Sequence, residues 1–206
     1  MSAIINPFVA GGGGSSTATL VGADCATHGS SPAIPFPGAP QAGDVCVLIE
    51  LNASNSDLPS GWTGGTGGAG SAFAYTHARK VLDASDISTG SVSMAVAGGT
   101  YAIAIYRGAS GLPNYKNQAF DNLSTTGPLS IAGFTKHAQS KKVVAMMVAT
   151  GNNPGALVQP GGFSIQDLDT FGFVSDVDSS GYTNGTNLDF DWGSGSKIAV
   201  AAFEII

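Results

Sequence analysis

Charge is scarce in this chain of 206 residues: 8 basic and 14 acidic side chains make up 11% of it, and only two of the acids, Glu50 and Glu204, are glutamate. Long helices clothe their wet faces in Glu, Lys, Arg and Gln, so a helical bundle is excluded. Basic side chains are few and late, beginning at Arg79, with Lys141-Lys142 the only Lys pair. At a net charge of -6 there is no cationic cluster to neutralise phosphates, which argues against a nucleic-acid partner. Long apolar runs are missing too. The longest, Val143 to Ala149, is far short of the ~20 residues that span a bilayer, so no membrane partner is expected. Residues 1–14 lack the basic start and unbroken apolar stretch of a signal peptide, so export by that route is not expected either. Cysteine is limited to Cys25 and Cys46. Cys46 lies in the apolar run Val45-Cys46-Val47-Leu48-Ile49 and has the character of a core position, so two free thiols are expected in preference to a disulfide.

Glycine, by contrast, is abundant: 30 residues, roughly double the usual share of about 7%. The chain is long enough for one compact domain that buries roughly 70% of its unfolded surface and needs neither disulfide nor metal. Candidate strands separated by Gly, Pro, Asn and Ser clusters run over 17–21, 44–51, 73–82, 91–97, 101–107, 129–131, 142–150, 171–176, 187–192 and 197–206. Gly98-Gly99, between two of them, has the form of a hairpin turn. No segment sustains an apolar period of 3.6. The expected fold is therefore all-β: a jelly-roll-like β-sandwich of about 8–10 antiparallel strands. Residues 17–206 form its single domain, preceded by an apolar, glycine-rich anchor segment over 1–16.

A weak internal repeat refines this expectation. Asp44 to Ala53 matches Lys142 to Gly151 in pattern; each is followed by an Asn/Pro-rich loop and an aromatic after glycine, Gly61-Trp62 and Gly162-Phe163. An aromatic-rich strand, at Phe73 and Phe171, and a closing hairpin ending in Tyr101 to Tyr106 or Lys197 to Phe203 follow, at a nearly constant offset of about 98 residues. Two similar half-domains of four strands, packed face to face as one sandwich, would produce this pattern.

Motifs that carry chemistry are sparse. Gly65-Thr-Gly-Gly-Ala-Gly70 fits the dinucleotide-binding expression, yet an alternating strand follows it where a helix would be required, so it reflects glycine abundance. His28, His77 and His137 lie in separate segments without ligand spacing, and His77, inside an alternating strand, has the pattern of a satisfied sheet histidine. Three Asp-x-Asp pairs cluster late: Asp167/Asp169, Asp176/Asp178 and Asp189/Asp191. Residues i and i+2 of a strand share a face, so each pair could hold a calcium ion or supply a glycosidase's acid and base. The plainer alternative, solvent-facing strand and loop positions, fits this composition better. Trp62, Trp192, Tyr75, Tyr182 and Phe173 could form a sugar-stacking platform, although aromatics in strands are more often core.

Four segments then carry a resemblance. Ala42-Gly-Asp-Val-Cys-Val-Leu-Ile49, Pro59-Ser-Gly-Trp-Thr63, Tyr75-Thr-His-Ala-Arg-Lys-Val-Leu82 and Tyr101-Ala-Ile-Ala-Ile-Tyr-Arg-Gly108 together resemble a recurrent β-sandwich of bacteriophage virions. The resemblance covers residues 42–108 directly and the remainder through the repeat. It implies a tail, fibre or capsid-surface protein located in the virion, partnered by other virion proteins and homo-oligomeric, with a trimer among the symmetries to consider. The motifs define a scaffold and carry over no catalytic, cofactor or metal residues, so no enzyme, cofactor or metal site is expected. The alternative is an adhesion module for a host surface glycan or receptor; a polysaccharide depolymerase is a more distant one. Sparse charge suits a chain covered by neighbouring subunits. Ile4, Ile5, Pro7, Phe8 and Val9, tethered by Gly11 to Gly14, are the expected assembly residues, able to fill a neighbour's groove at ~1.5–3 kcal/mol per large buried side chain.

Overall fold

Nearly continuous apolar strands form where both faces are dry. The computed structural model describes residues 17–52, 57–68, 73–112, 114–121, 129–151, 157–192 and 196–206. The first half of the chain supplies β1 (Thr19–Thr27), β2 (Ala33–Pro35), β3 (Val45–Asn52), β4 (Thr63–Gly68), β5 (Ala74–Val81), helix α1 (Ala84–Thr89), β6 (Ser91–Ser93) and β7 (Thr100–Arg107). The second supplies β8 (Tyr115–Asp121), β9 (Leu129–Ile131), β10 (Lys142–Gly151), β11 (Ser164–Asp169), β12 (Gly172–Asp178), β13 (Leu188–Phe190) and β14 (Ser196–Ile205). All eight residues of β3 are buried, as expected of a central strand without a solvent face.

The strands form two five-stranded antiparallel sheets, ordered β1-β7-β3-β5-β4 and β8-β14-β10-β12-β11, and two small two-stranded sheets, β2-β6 and β9-β13. In chain order within each half, the pattern of neighbours is the same. The internal repeat is thus a structural one, with corresponding strands displaced by about 97 residues. Its turns correspond as well. Trp62 N–H donates to the Pro59 carbonyl at 3.0 Å, and Phe163 N–H to that of Pro160 at 3.2 Å. The third residue of each turn, Gly61 and Gly162, has φ of 78° and 86°, as a type II turn demands.

Three apolar layers follow from this stacking. Between the sheets, Val47, Ile49, Leu51, Ala104 and Tyr106 meet Val144, Met146, Val148, Ala201 and Phe203. The first sheet's outer face, with Cys46, Leu48, Ile103 and Ile105, is covered by Ile34, Val92, Met94 and Trp62. The second sheet's outer face, with Val143, Met147, Phe173 and Val200, is covered by Ile131, Leu188, Phe190, Phe163 and Trp192. Cys25 faces the layer between the sheets and Cys46 the outer layer, so the sheet itself separates the two free thiols. Burial pushes both thiols up from their ordinary range and keeps them protonated.

The all-β antiparallel sandwich matches the sequence expectation in its half-sheet form, with five strands in each main sheet where four were expected, the extra ones being edge strands. Residues 19–107 fill one main sheet and 115–205 the other, without the alternation between sheets that a jelly roll shows. Several finer expectations need correction. Ser91 to Ala97 and Tyr101 to Arg107 are not a hairpin: β6 pairs with β2, while β7 lies between β1 and β3. Gly98-Gly99 instead drops the chain from the outer layer into the sheet, and a Cβ on Gly99 would lie 2.6 Å from Glu50 Oε1. β1 extends six residues past Val21, and β2, β4, β8 and β11, absent from the sequence expectation, are short, glycine-rich or polar edge pieces. The helix was hidden because caps, not apolar periodicity, define it. The Asp83 carboxylate accepts from Ser85 N at 2.8 Å and Asp86 N at 3.0 Å, and Gly90 closes the helix at φ 71°. The anchor residues Ile4, Ile5, Pro7, Phe8 and Val9 lie outside the described residues.

Because Trp62 and Phe163 plug equivalent outer layers, Trp62→Ala and Phe163→Ala should each cost ~3–5 kcal/mol in chemical denaturation. Reductant should leave the thermal midpoint unchanged, since the sheet keeps Cys25 and Cys46 apart.

Candidate functional site

Two of the three Asp-x-Asp pairs are engaged by the protein itself. Asp176, 4% exposed, accepts from Tyr106 Oη at 2.8 Å, Gln166 Nε2 at 3.0 Å and Lys142 Nζ at 3.2 Å. Asp178 shares that ammonium at 3.1 Å, so lysine fills the place a bridging cation would take. Asp189 accepts from Ser130 Oγ, and Asp191 from its neighbour Trp192 N at 2.8 Å. Asp167 lies beside the Cys25 thiol and helps to push its pKa up, whereas Asp169 is exposed. Among the described residues, no three His, Cys, Asp or Glu side chains gather in a metal-binding group. The sugar-platform aromatics divide: Trp62, Trp192, Tyr182 and Phe173 are buried, and only Tyr75 is half-exposed.

Both glutamates are buried, which the sequence expectation missed. Glu204 accepts from His137 N at 2.6 Å and Asn114 Nδ2 at 2.5 Å. Glu50 Oε1 lies 2.6 Å from His28 Nε2, and His28 Nδ1 lies 3.1 Å from the Ser31 carbonyl. An imidazole between two acceptors needs a second proton unless the carboxyl carries it. The pair therefore shares one extra proton, and burial raises the Glu50 pKa against the opposing pull of His28. The available signal was an acid inside an unbroken apolar run, because a buried carboxyl requires a partner.

An edge of the sandwich contains groups that are not satisfied. β5 presents Tyr75, His77 and Arg79 at alternate positions of the face directed at the second sheet. Across from them on β4 stand Gly67, Gly65 and Thr63. The glycines are required by the rings beneath: a Cβ on Gly67 would lie 2.7 Å from the Tyr75 ring, and one on Gly65 3.0 Å from His77 Cε1. The Gly65–Gly68 stretch is consequently an edge strand covering aromatic groups. Tyr115, arriving from β8, stacks on His77 with centroids 4.7 Å apart, and Arg79 Cζ sits 4.3 Å from the Tyr115 ring centre.

His77 does not behave as the satisfied sheet histidine expected from the alternation. It is 4% exposed, yet neither ring nitrogen has a hydrogen-bond partner among the described residues. Burial, assisted by the Arg79 charge, lowers its pKa from 6.5 to about 4 and keeps the ring neutral. Arg79 Nη1 is also buried without a partner, and desolvation lowers the guanidinium's pKa. A cavity of about 240 Å³ adjoins it, lined by Thr63, Arg79, Lys80, Val81 and Leu112. Lys80 is already held by Asp86 at 2.8 Å and Asp83 at 3.1 Å. What remains is one fixed cation, one hydroxyl and two apolar walls, a geometry suited to binding.

Sequence reasoning named Tyr75 and His77 but did not bring them together with Arg79, because the juxtaposition depends on Tyr115 from the opposite half of the chain. Comparison with protein-family models, curated proteins and solved structures finds no match to this chain.

His77 also makes stability depend on pH. The unfolded ring takes up a proton near 6.5 and the folded one only near 4. Stability is therefore full above pH 6.5 and declines as the pH falls toward 4. Thermal midpoints should drop across that window, and His77→Phe, which keeps a stacked ring, should flatten the decline. An unchanged slope in the variant would assign the decline to carboxylates.

Proposed function

We propose that this protein is a non-enzymatic structural component of a bacteriophage virion, at the tail, fibre or capsid surface, docked through residues 1–16 and working as an oligomer. The observation that supports this reading most is where the four resembling segments fall. Ala42 to Ile49 leads into β3, Pro59 to Thr63 forms the turn that seats Trp62, and Tyr75 to Leu82 and Tyr101 to Gly108 comprise β5 and β7. The resemblance is thus to the frame of the first half-sheet, and a frame is what a structural role requires. A sandwich sealed on both outer faces suits a rigid particle component. The adhesion reading has one observation of its own, the cavity beside Arg79.

Deleting residues 1–10 is expected to leave the sandwich folded, as read by circular dichroism, while abolishing incorporation into the particle, as read by copies per purified virion. Incorporation at the wild-type level would overturn the anchor assignment. Loss of fold would place that segment in the domain core.

A further inference from the structure

We propose that the cleft centred on Arg79 binds a carboxylate, borne on a compact ligand such as a uronic acid or a small organic acid. The inference does not depend on the virion reading, since it rests on a comparison that the duplicated fold makes possible. Arg79 stands across from Val47 on β3 and from Thr63 on β4; at the equivalent register of the second half, Asp176 stands across from Val144 on β10 and from Ser164 on β11. The two positions are the same place in the same framework, and both carry an ionic group directed at the opposite sheet.

Their surroundings differ in one respect. Asp176 is saturated by a hydroxyl, an ammonium and an amide. Its cation, Lys142, stands across from Asp178, and the corresponding pair in the first half is Val45 across from Val81. Among the described residues, Arg79 therefore has no carboxylate where the framework holds an ion pair in the other half. The only other arginine, Arg107, is bound in a fork by Asp44 at 3.0 and 2.8 Å. A guanidinium buried at Nη1 without an acceptor loses hydration and recovers only the stacking on Tyr115. A ligand carboxylate in the cleft that Arg79 lines would supply the opposing charge, with the charge-assisted geometry that arginine favours. Space is available for it in a cleft of about 240 Å³. Thr63 offers a hydroxyl, and Val81 and Leu112 offer apolar walls. The Tyr115 ring braces the guanidinium from behind, so its orientation is fixed before binding.

The full chain would be titrated with glucuronate, propionate and neutral glucose, observed by NMR at the Tyr115 ring and the Arg79 side-chain N–H. Saturable binding of glucuronate or propionate is expected, with a dissociation constant on the order of 1 mM, and none for glucose. Tighter binding of glucuronate would identify an acidic sugar as the source, and equal binding of propionate a simple acid; both support the site. Arg79→Gln should weaken the carboxylates by about tenfold or more. It should change the thermal midpoint little, since only the stacking on Tyr115 and no hydrogen bond or ion pair is lost, whereas an arginine that holds the fold together would lower it on removal. Should that variant fail to fold, Val81→Trp, at a position 47% exposed, blocks the cavity without touching the charge and should abolish binding. Absence of carboxylate binding, equal binding of glucose, or binding unaffected by Val81→Trp would overturn the proposal.

Discussion

Two sheets with no wet face make most other features of this protein necessary. Because β3, β7, β10 and β14 are packed above and below, their sequences must be apolar at nearly every position, and charge is confined to edges and turns except where a buried acid is partnered, as Glu50 is by His28 and Glu204 by Asn114 and His137. This accounts for much of the low charge content within a single chain. Covering by neighbouring subunits is therefore an addition to that explanation, not a requirement of it. The same constraint dictates the two small sheets, since an outer face of Cys46, Leu48 and Ile105 would otherwise meet water, and each half solves the problem with the same two short strands and the same aromatic plug.

Duplication turns each half into a control for the other. Positions that match report what the framework needs: Gly61 and Gly162 in their turns, Trp62 and Phe163 beneath them. Positions that differ report what it does not need. Glu50 is paired across strands with Thr76 and Tyr101, while the equivalent Met147 is paired with Phe173 and Val200. The first half thus carries a buried polar network, completed by His28, where the second is apolar. A framework able to close that layer with Met and Phe has no intrinsic use for a shared proton there. The contrast between Arg79 and Asp176 has the same form, and differs in leaving an ionic group without its partner.

Glycine does two separate tasks. In the turns it supplies a backbone conformation that other residues enter only with strain. In β4 it supplies absence, since any side chain on Gly65 or Gly67 would occupy the space of the His77 and Tyr75 rings. The part of the nucleotide-binding-like stretch within β4, Gly65–Gly68, is thereby explained by packing, and its position at a sheet edge keeps the cost of so many glycines out of the central strands.

By itself the sequence determined the all-β class, the central strands and the duplication, because a strand buried on both faces writes itself as an uninterrupted apolar run and a repeated fold repeats that run. It also marked Trp62 and Phe163, since a Gly-aromatic step after a proline constrains the backbone locally. Edge strands and the capped helix were less legible: their stability comes from a pairing partner or from two or three hydrogen bonds, neither of which leaves a period. Which polar groups meet was not legible at all. Asp176 receives Tyr106, Arg79 receives Tyr115 and Glu50 receives His28 across separations of 70, 36 and 22 residues. Only the stacking of one half-sheet on the other, and the return of β1 to the end of β3, brings those chemistries within reach, because ionic and hydrogen-bonding interactions are read over a few ångströms of space and not along the chain.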